Sequence, residues 1–95
     1  MKLRYTFPAK QDLAEILDYI LARSPNGALQ VQTRIKSILE LLVQYPQSGT
    51  ATDDPTIRKM AASPYPYLIF YEPTDDEIII HAVRHSARKS TGTIG

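Results

Sequence analysis

Two histidines near the C-terminal end of the chain are the first residues whose type suits catalysis. His81 and His85 lie four residues apart. Cleavage of RNA through its own 2′-hydroxyl needs a base and an acid, and a pair of imidazoles can supply both. In one extended strand, however, two side chains at this spacing stand about 13 Å apart, too far to act on one phosphate. We therefore predict no catalytic histidine pair and expect His81 to be hydrogen-bonded within a sheet.

The same histidine spacing does not predict a metal site. It would present both rings to one metal ion on a helix, but here it falls in a run rich in β-branched residues, and no carboxylate has a matching spacing. The chain has only 4 glycines and no glycine-rich phosphate loop. We predict neither a metal nor an organic cofactor, and we assign no catalytic residue.

His85 is a candidate for binding a partner. It lies where the last predicted strand ends, and Arg88 follows three residues later. Arg58 lies on a predicted neighbouring strand, and its guanidinium can donate two parallel hydrogen bonds to an anion. Arg58, His85 and Arg88 are therefore the predicted contacts to an acidic or phosphate-bearing partner. The alternative is that each arginine is an ordinary surface charge.

The hydrophobic pattern predicts the elements that position these residues. Residues 2–6 alternate like an amphipathic strand. Two amphipathic helices follow, one over residues 8–23 and one that stops at Pro46, with Ser24-Pro25-Asn26-Gly27 between them. So short a break predicts an antiparallel helical hairpin.

Extended segments follow the second helix, at residues 57–61, 67–72 and 77–84. The last two are apolar on both faces, which predicts that they lie at the centre of a sheet. The fold class is therefore α+β, in the order β-α-α-β-β-β: an N-terminal strand, a two-helix antiparallel hairpin and a three-stranded antiparallel sheet with one face covered by the helices.

Length and composition predict one small domain. Of the 95 residues, we expect 1–89 to form this domain and 90–95 a flexible C-terminal tail. The absence of cysteine and of any apolar run of about 18 residues predicts a cytoplasmic protein with no membrane association. The net charge of +1 is low for a protein that grips phosphate backbones, so we expect no strong direct binding to nucleic acid.

The chain as a whole resembles the RelE/ParE superfamily of toxins from bacterial type II toxin-antitoxin modules, most closely its ParE branch. The resemblance covers about residues 5–88. It rests on Pro8-Ala9 with Asp12-Leu13, Ile16 and Tyr19-Ile20; on Leu42-x-x-x-Pro46-x-x-Gly49; on Arg58; on Pro66-Tyr67-Leu68-Ile69-Phe70-Tyr71; and on Ile78-x-Ile80-x-x-Val83-x-His85-x-x-Arg88. No single piece is specific, whereas their order and spacing together are. The β-α-α-β-β-β arrangement of the family agrees with the elements predicted above.

The resemblance implies a small toxin that is held inactive by an antitoxin encoded beside it. A ParD-like antitoxin wraps its toxin with an amphipathic helix and an added strand. We expect that helix to cover an apolar groove beside the helical hairpin. The residues expected to line the groove lie near the edges of the two apolar helix stripes: Leu17, Leu21, Ile38 and Val43.

The resemblance also implies a cellular target. ParE-type members poison DNA gyrase, whereas RelE-type members cleave messenger RNA on the ribosome. The low net charge favours gyrase, as does Ser86, which follows His85 where some nuclease relatives place a tyrosine. No tyrosine occurs after Tyr71. One departure is Tyr67, where many relatives carry arginine.

Two alternatives follow from the same residues. In a RelE-like ribosome-dependent endoribonuclease, Arg58, His85 and Arg88 would converge on one phosphate, with Lys59 as a further cation. In an inactive protein of the same fold, these residues would only bind a partner. The favoured interpretation, a protein inhibitor of gyrase, is not an enzyme.

Overall fold

Two helices and five strands make up most of residues 1–86, which are the residues described in the computed structural model. The elements are β1 (Lys2–Tyr5), α1 (Phe7–Leu21), α2 (Pro25–Gln44), β2 (Thr50–Ala51), β3 (Arg58–Ala61), β4 (Tyr67–Pro73) and β5 (Glu77–His85). Both predicted helices and all four predicted strands are present. Arg88 and the predicted tail at residues 90–95 lie outside the described residues.

Each helix begins at a side-chain cap and a proline. The Thr6 hydroxyl accepts a hydrogen bond from the amide of Ala9 at 3.2 Å, and the Ser24 hydroxyl accepts one from the amide of Gly27 at 3.0 Å. A proline occupies the first turn of each helix, where its missing amide proton costs nothing. These local signals explain why the helix starts were readable from the sequence.

The sheet has five strands in the order β1-β5-β4-β3-β2. β1 is parallel to β5, and the other neighbouring strands are antiparallel. The α+β class is confirmed, as is the order of one N-terminal strand, two helices and then further strands, but the prediction of a three-stranded antiparallel sheet is wrong because the sheet has five strands. The two helices carry the chain from β1 to β2 at the opposite edge of the sheet, and the antiparallel strands β2 to β5 then return it to pair with β1. β2 was not predicted because a strand of two residues is too short to show an alternating hydrophobic pattern.

A β-bulge changes which face of the sheet the end of β5 presents. The register shifts between Phe70 and Tyr71 of β4, so that His81 of β5 has no partner in the β4 ladder. Because side chains alternate between faces, one extra residue exchanges the faces for all residues that follow. Val83 and His85 therefore lie on the face that packs against the helices.

Both helices pack on one face of the sheet, and the core lies between the two layers. The largest fully buried side chains are Tyr71, Leu42, Ile69, Ile78 and Ile80. The prediction that the helices cover one face is thus confirmed. On the opposite face, which we call the outer face, residues 1–86 supply no helix. Neither helix in this range has the length and apolar character needed to cross a membrane.

Candidate functional site

Arg58 is bound by main-chain carbonyl groups of the turn between α2 and β2. Its Nε donates a hydrogen bond to the Gly49 carbonyl oxygen at 3.1 Å, and its Nη2 donates to the same oxygen at 2.6 Å. Nη2 also donates to the Gln47 carbonyl oxygen at 3.2 Å. The guanidinium fork, which suits anions in general, is therefore used here to fix a turn of the same chain.

Tyr71 holds the same turn from the core side. Its hydroxyl donates a hydrogen bond to the Pro46 carbonyl oxygen at 2.8 Å and accepts one from the Gly49 amide at 2.9 Å. Gly49 is buried, and a Cβ atom there would lie 2.6 Å from the Lys59 carbonyl oxygen and 2.7 Å from the Tyr71 hydroxyl. Only glycine allows this close approach of the turn to β3 and β4.

His85 lies far from Arg58. Arg58 pairs with Tyr71, and His85 pairs with Tyr67. The two partners are four residues apart on β4, which separates Arg58 from His85 by about 13 Å along the strands and by more once the strand spacing is added. The His85 ring packs edge-on against the Tyr67 ring, with centroids 5.4 Å apart. The structure does not bring Arg58 and His85 together, and Arg88 lies outside the described residues.

His81 is hydrogen-bonded within the sheet, as predicted. Its Nε2 lies 2.9 Å from Oε1 of Glu72 on β4. A second pair on the outer face joins Arg4 of β1 to Glu77 of β5, with Nε 3.1 Å from Oε1. The hydrogen bond to Glu77 raises the pKa of Arg4 above its ordinary value. Both glutamates of this face are therefore already paired with a cation or an imidazole.

An open groove of about 650 Å³ lies between α2 and the edge strand β1. Six apolar or aromatic side chains line it: Leu3, Tyr5, Leu13, Ile35, Leu39 and Val43. Four polar side chains of α2, spaced four residues apart and so forming one row along the helix, complete the lining: Gln32, Lys36, Glu40 and Gln44. Burial raises the pKa of the Tyr5 hydroxyl above its ordinary value.

β1 gives this groove a second property. Within residues 1–86, β1 pairs with β5 alone and forms the edge of the sheet. An edge strand presents a row of main-chain donors and acceptors to which another segment can pair. The groove thus combines an apolar lining with a strand edge.

The structure separates the four residues that were predicted to bind an antitoxin. Val43 is the one that lines the groove. Leu21 is 52% exposed at the end of α1, and Leu17 is half-buried against the core. Ile38 is only 2% exposed, so its side chain packs in the core and is not open to a partner.

The groove residues on β1 were missed by the sequence analysis. The alternation of Leu3 and Tyr5 does show that this strand has one apolar side. The position of that side beside α2, however, depends on the parallel pairing of β1 with β5. No local pattern reports a pairing between segments more than 70 residues apart.

Comparison with known proteins agrees with this architecture. Toxin RelE2 of Caulobacter vibrioides (strain ATCC 19089 / CIP 103742 / CB 15) is 36% identical over 84 residues, which cover 88% of this chain and 93% of the relative. Putative toxin Y4kP of Sinorhizobium fredii (strain NBRC 101917 / NGR234) is 32% identical over 79 residues, which cover 83% of this chain and 82% of the relative. Both relatives are similar over most of their length.

Solved structures share the fold. The chromosomal ParDE TA system from P. aeruginosa contains a chain that superposes with a TM-score of 0.76 at 24% identity, covering 90% of this chain and 95% of that one. YafQ from E. coli strain BL21(DE3) superposes with a TM-score of 0.59 at 14% identity, covering 90% and 93%. The family model for the ParE toxin of the type II toxin-antitoxin system, parDE, matches residues 3–90. The chain therefore belongs to the ParE toxin family of type II toxin-antitoxin systems, within the RelE/ParE superfamily.

Proposed function

We propose that this protein is a ParE-type toxin that arrests growth by binding and inhibiting DNA gyrase, and that a cognate ParD-like antitoxin neutralises it. The observation that carries the proposal is the match of the ParE toxin family to residues 3–90, nearly the whole chain. Inhibition of gyrase by a small protein needs a binding surface and no catalytic centre.

The placement of the polar side chains favours a binding protein over a nuclease. Cleavage of a phosphodiester needs a base, an acid and a cation within hydrogen-bonding reach of one phosphate. Among residues 1–86, the Arg58 guanidinium is bound to carbonyl oxygens of a turn, and His85 lies at the other end of the sheet. His81 is hydrogen-bonded to Glu72. Arg58 and His85, the two predicted contacts that lie within residues 1–86, are therefore not assembled around one phosphate.

The groove beside β1 is the proposed antitoxin site. An amphipathic segment would bury apolar side chains against Leu3, Tyr5 and Val43, and an extended stretch would pair with the β1 edge. Leu17 and Leu21 remain proposed contacts for a segment that continues along α1. Ile38 is buried in the core, so it would affect antitoxin binding only indirectly, by supporting α2.

The target is tested with purified components. The protein is added to a gyrase supercoiling assay and, in parallel, to programmed ribosomes whose messenger RNA is analysed for new 5′ ends. We expect supercoiling activity to fall as the toxin concentration rises and to recover when the antitoxin is added. The messenger RNA should stay intact. Intact supercoiling together with cut messenger RNA would replace gyrase by the ribosome as the target.

The antitoxin site is tested with one substitution and a matched control. Leu3→Glu places a charge in the groove, whereas Leu29→Glu places the same charge on an exposed position of α2 outside it; the two leucines are 39% and 59% exposed. We expect Leu3→Glu to weaken antitoxin binding by tenfold or more and Leu29→Glu to leave it unchanged, with both variants melting like the parent. Equal antitoxin affinity of Leu3→Glu and the parent would remove the groove from consideration.

A RelE-like endoribonuclease is the second candidate. It is favoured by one observation, the 36% identity to a relative called Toxin RelE2. The ribosome assay decides between the two candidates. Loss of cutting in His85→Ala would then assign the reaction to the end of β5.

A further inference from the structure

The outer face of the sheet carries a patch of side chains that no other part of residues 1–86 covers. It consists of two rows that the strand register places side by side. One row runs Lys59, Phe70, Ala82 across β3, β4 and β5, and the other runs Ala61, Leu68, Arg84. We call these six residues the outer-face patch. Ala82 and Arg84 belong to it only because the bulge at His81 exchanges the faces of β5.

The centre of the patch is apolar, and its two large side chains project beyond the alanines beside them. Leu68 and Phe70 lie on the central strand β4, and each is flanked on this face by one alanine, Ala61 or Ala82. Both large side chains are half-buried, although neither belongs to the core between sheet and helices. Because each alanine has only a methyl group, one side of Leu68 and one side of Phe70 stay open to a partner. An apolar side chain from outside therefore fits over either alanine.

The charges of the patch have one sign. Lys59 and Arg84 stand at diagonally opposite corners, and none of the six residues is acidic. Lys59 is exposed and has no ion pair within residues 1–86. The Arg84 side chain is 61% exposed, and its Nε forms an ion pair of 3.8 Å with Oδ2 of Asp12 on α1. The neighbouring acids of this face, Glu72 and Glu77, are paired elsewhere.

We infer that the outer-face patch is the surface that engages the target, and that it binds an acidic segment of a protein. An apolar side chain of that segment lies against Phe70, in the space above a neighbouring alanine. Two carboxylates of the segment pair with Lys59 and Arg84. The spacing of strands and of residues along them puts the Cα atoms of these two cations roughly 12 Å from each other. The identity of the partner as the toxin's target rests on the proposed function.

The composition of the patch favours a protein over a nucleic acid. An apolar centre with a charged rim is the usual anatomy of a protein interface, and Phe70 and Arg84 are of the types enriched there. A nucleic-acid surface would need more phosphate contacts than two cations supply, and usually more than one stacking ring. The patch is also distinct from the antitoxin groove, because Leu3 and Tyr5 lie on the other face of the sheet.

The test uses the full chain and three variants. Lys59→Glu reverses one charge of the patch, Phe70→Ala removes its apolar centre, and Lys10→Glu reverses a matched exposed charge on α1. Each is measured for growth arrest on induction, affinity for immobilised gyrase, affinity for the antitoxin, affinity for a fluorescent single-stranded RNA, and melting temperature. We expect the two patch variants to lose at least tenfold in gyrase affinity and to lose growth arrest. Their antitoxin affinity should stay within twofold of the parent, as should every property of Lys10→Glu.

Other outcomes overturn the inference in recognisable ways. Full toxicity of both folded patch variants would show that the outer face is not used. A loss confined to antitoxin affinity would assign the patch to the antitoxin, and a loss confined to RNA affinity would assign it to nucleic acid. Failure of the parent itself to bind gyrase would refute the proposed target alone. Growth arrest would then still decide whether the patch carries toxicity.

Discussion

Arg58 shows how the role of a residue depends on its surroundings. As an exposed strand arginine it would offer two parallel donors to an anion, and in the folded chain those donors are directed at the carbonyl oxygens of Gly49 and Gln47. The turn between α2 and β2 needs such donors because the carbonyl groups of Gln47 and Gly49 lie outside the helix and the strands and must find partners elsewhere. Loss of toxicity on mutation of Arg58 would therefore report first on the turn.

The first prediction concerns the stability of this turn. Arg58→Ala should lower the free energy of unfolding by roughly 1.5–3 kcal/mol, the usual contribution of hydrogen bonds from a charged donor. Lys59→Ala, its exposed neighbour, should change it by less than about 0.5 kcal/mol. Urea unfolding of the two variants and the parent measures both values. Equal stability of Arg58→Ala and the parent would free Arg58 for the predicted role at the target surface.

A second prediction compares two glycines. Gly49→Ala forces a Cβ atom against a main-chain oxygen and the Tyr71 hydroxyl, so it should cost about 1–3 kcal/mol of folding free energy. At Gly27 the nearest atom is the Ser24 hydroxyl oxygen at 3.1 Å, a side-chain atom that can move. Gly27→Ala should therefore cost much less, since alanine also favours the helix. Melting curves that rank the two variants in the opposite order would contradict the description of the turn.

At the scale of elements, α2 divides its faces among three environments. The centre of its apolar stripe, at Leu42, packs in the core against the sheet, and one flank borders the groove beside β1. On another side, the Arg34 guanidinium donates a hydrogen bond to the Ser63 carbonyl oxygen at 2.7 Å, which ties the helix to the turn before β4. One amphipathic helix thus serves the core, a partner site and a loop.

The third prediction separates these faces by stability. Leu39 is 3% exposed, whereas Leu41, two residues further on, is 40% exposed. Leu39→Ala should cost about 2–5 kcal/mol, because the deleted atoms leave a cavity in the core. That loss is a large fraction of the total stability of a small domain. Leu41→Ala should lie within about 0.5 kcal/mol of the parent. A similar, small loss for both variants in calorimetry would mean that Leu39 is not a core residue.

At the scale of the whole molecule, the sheet separates two candidate binding surfaces. The groove at β1 and α2 lies on the helix side, and the outer-face patch lies on the other. The antitoxin and the target would then approach from opposite sides. Neutralisation would require the antitoxin to reach around the sheet edge, or to exclude the target by its bulk.

The fourth prediction maps both faces with single thiols, since the chain has no cysteine of its own. Ala61→Cys places a thiol on the outer-face patch, and Leu3→Cys places one in the groove. The antitoxin should slow maleimide labelling at position 3 by tenfold or more and change the labelling rate at position 61 by less than twofold. Gyrase should slow labelling at position 61 and leave the rate at position 3 within twofold. Protection of both thiols by the antitoxin alone would show that it covers both faces.

The two helices and the two central strands could be predicted from the sequence, because they follow from local periodicity and from the prolines at the helix starts. The cap at Thr6 was not predicted, because that residue continues the alternation of the first strand. The sequence also determined the family, through the order and spacing of many weak signals. It did not determine the face on which His85 lies. The run of Ile78, Ile79 and Ile80 is apolar on both sides, so alternation cannot reveal a bulge that follows it.

The pairing of β1 with β5, the groove beside it and the internal use of the Arg58 guanidinium became visible only in the folded chain. The pairing of β1 with β5 joins segments more than 70 residues apart, and the Arg58 hydrogen bonds span 9 and 11 residues across a turn. The free energy of these contacts comes from burial and hydrogen bonds that exist only once the chain has folded. The outer-face patch has the same origin. Its six residues come from three strands, and one register shift at His81 sets which residues of β5 complete it.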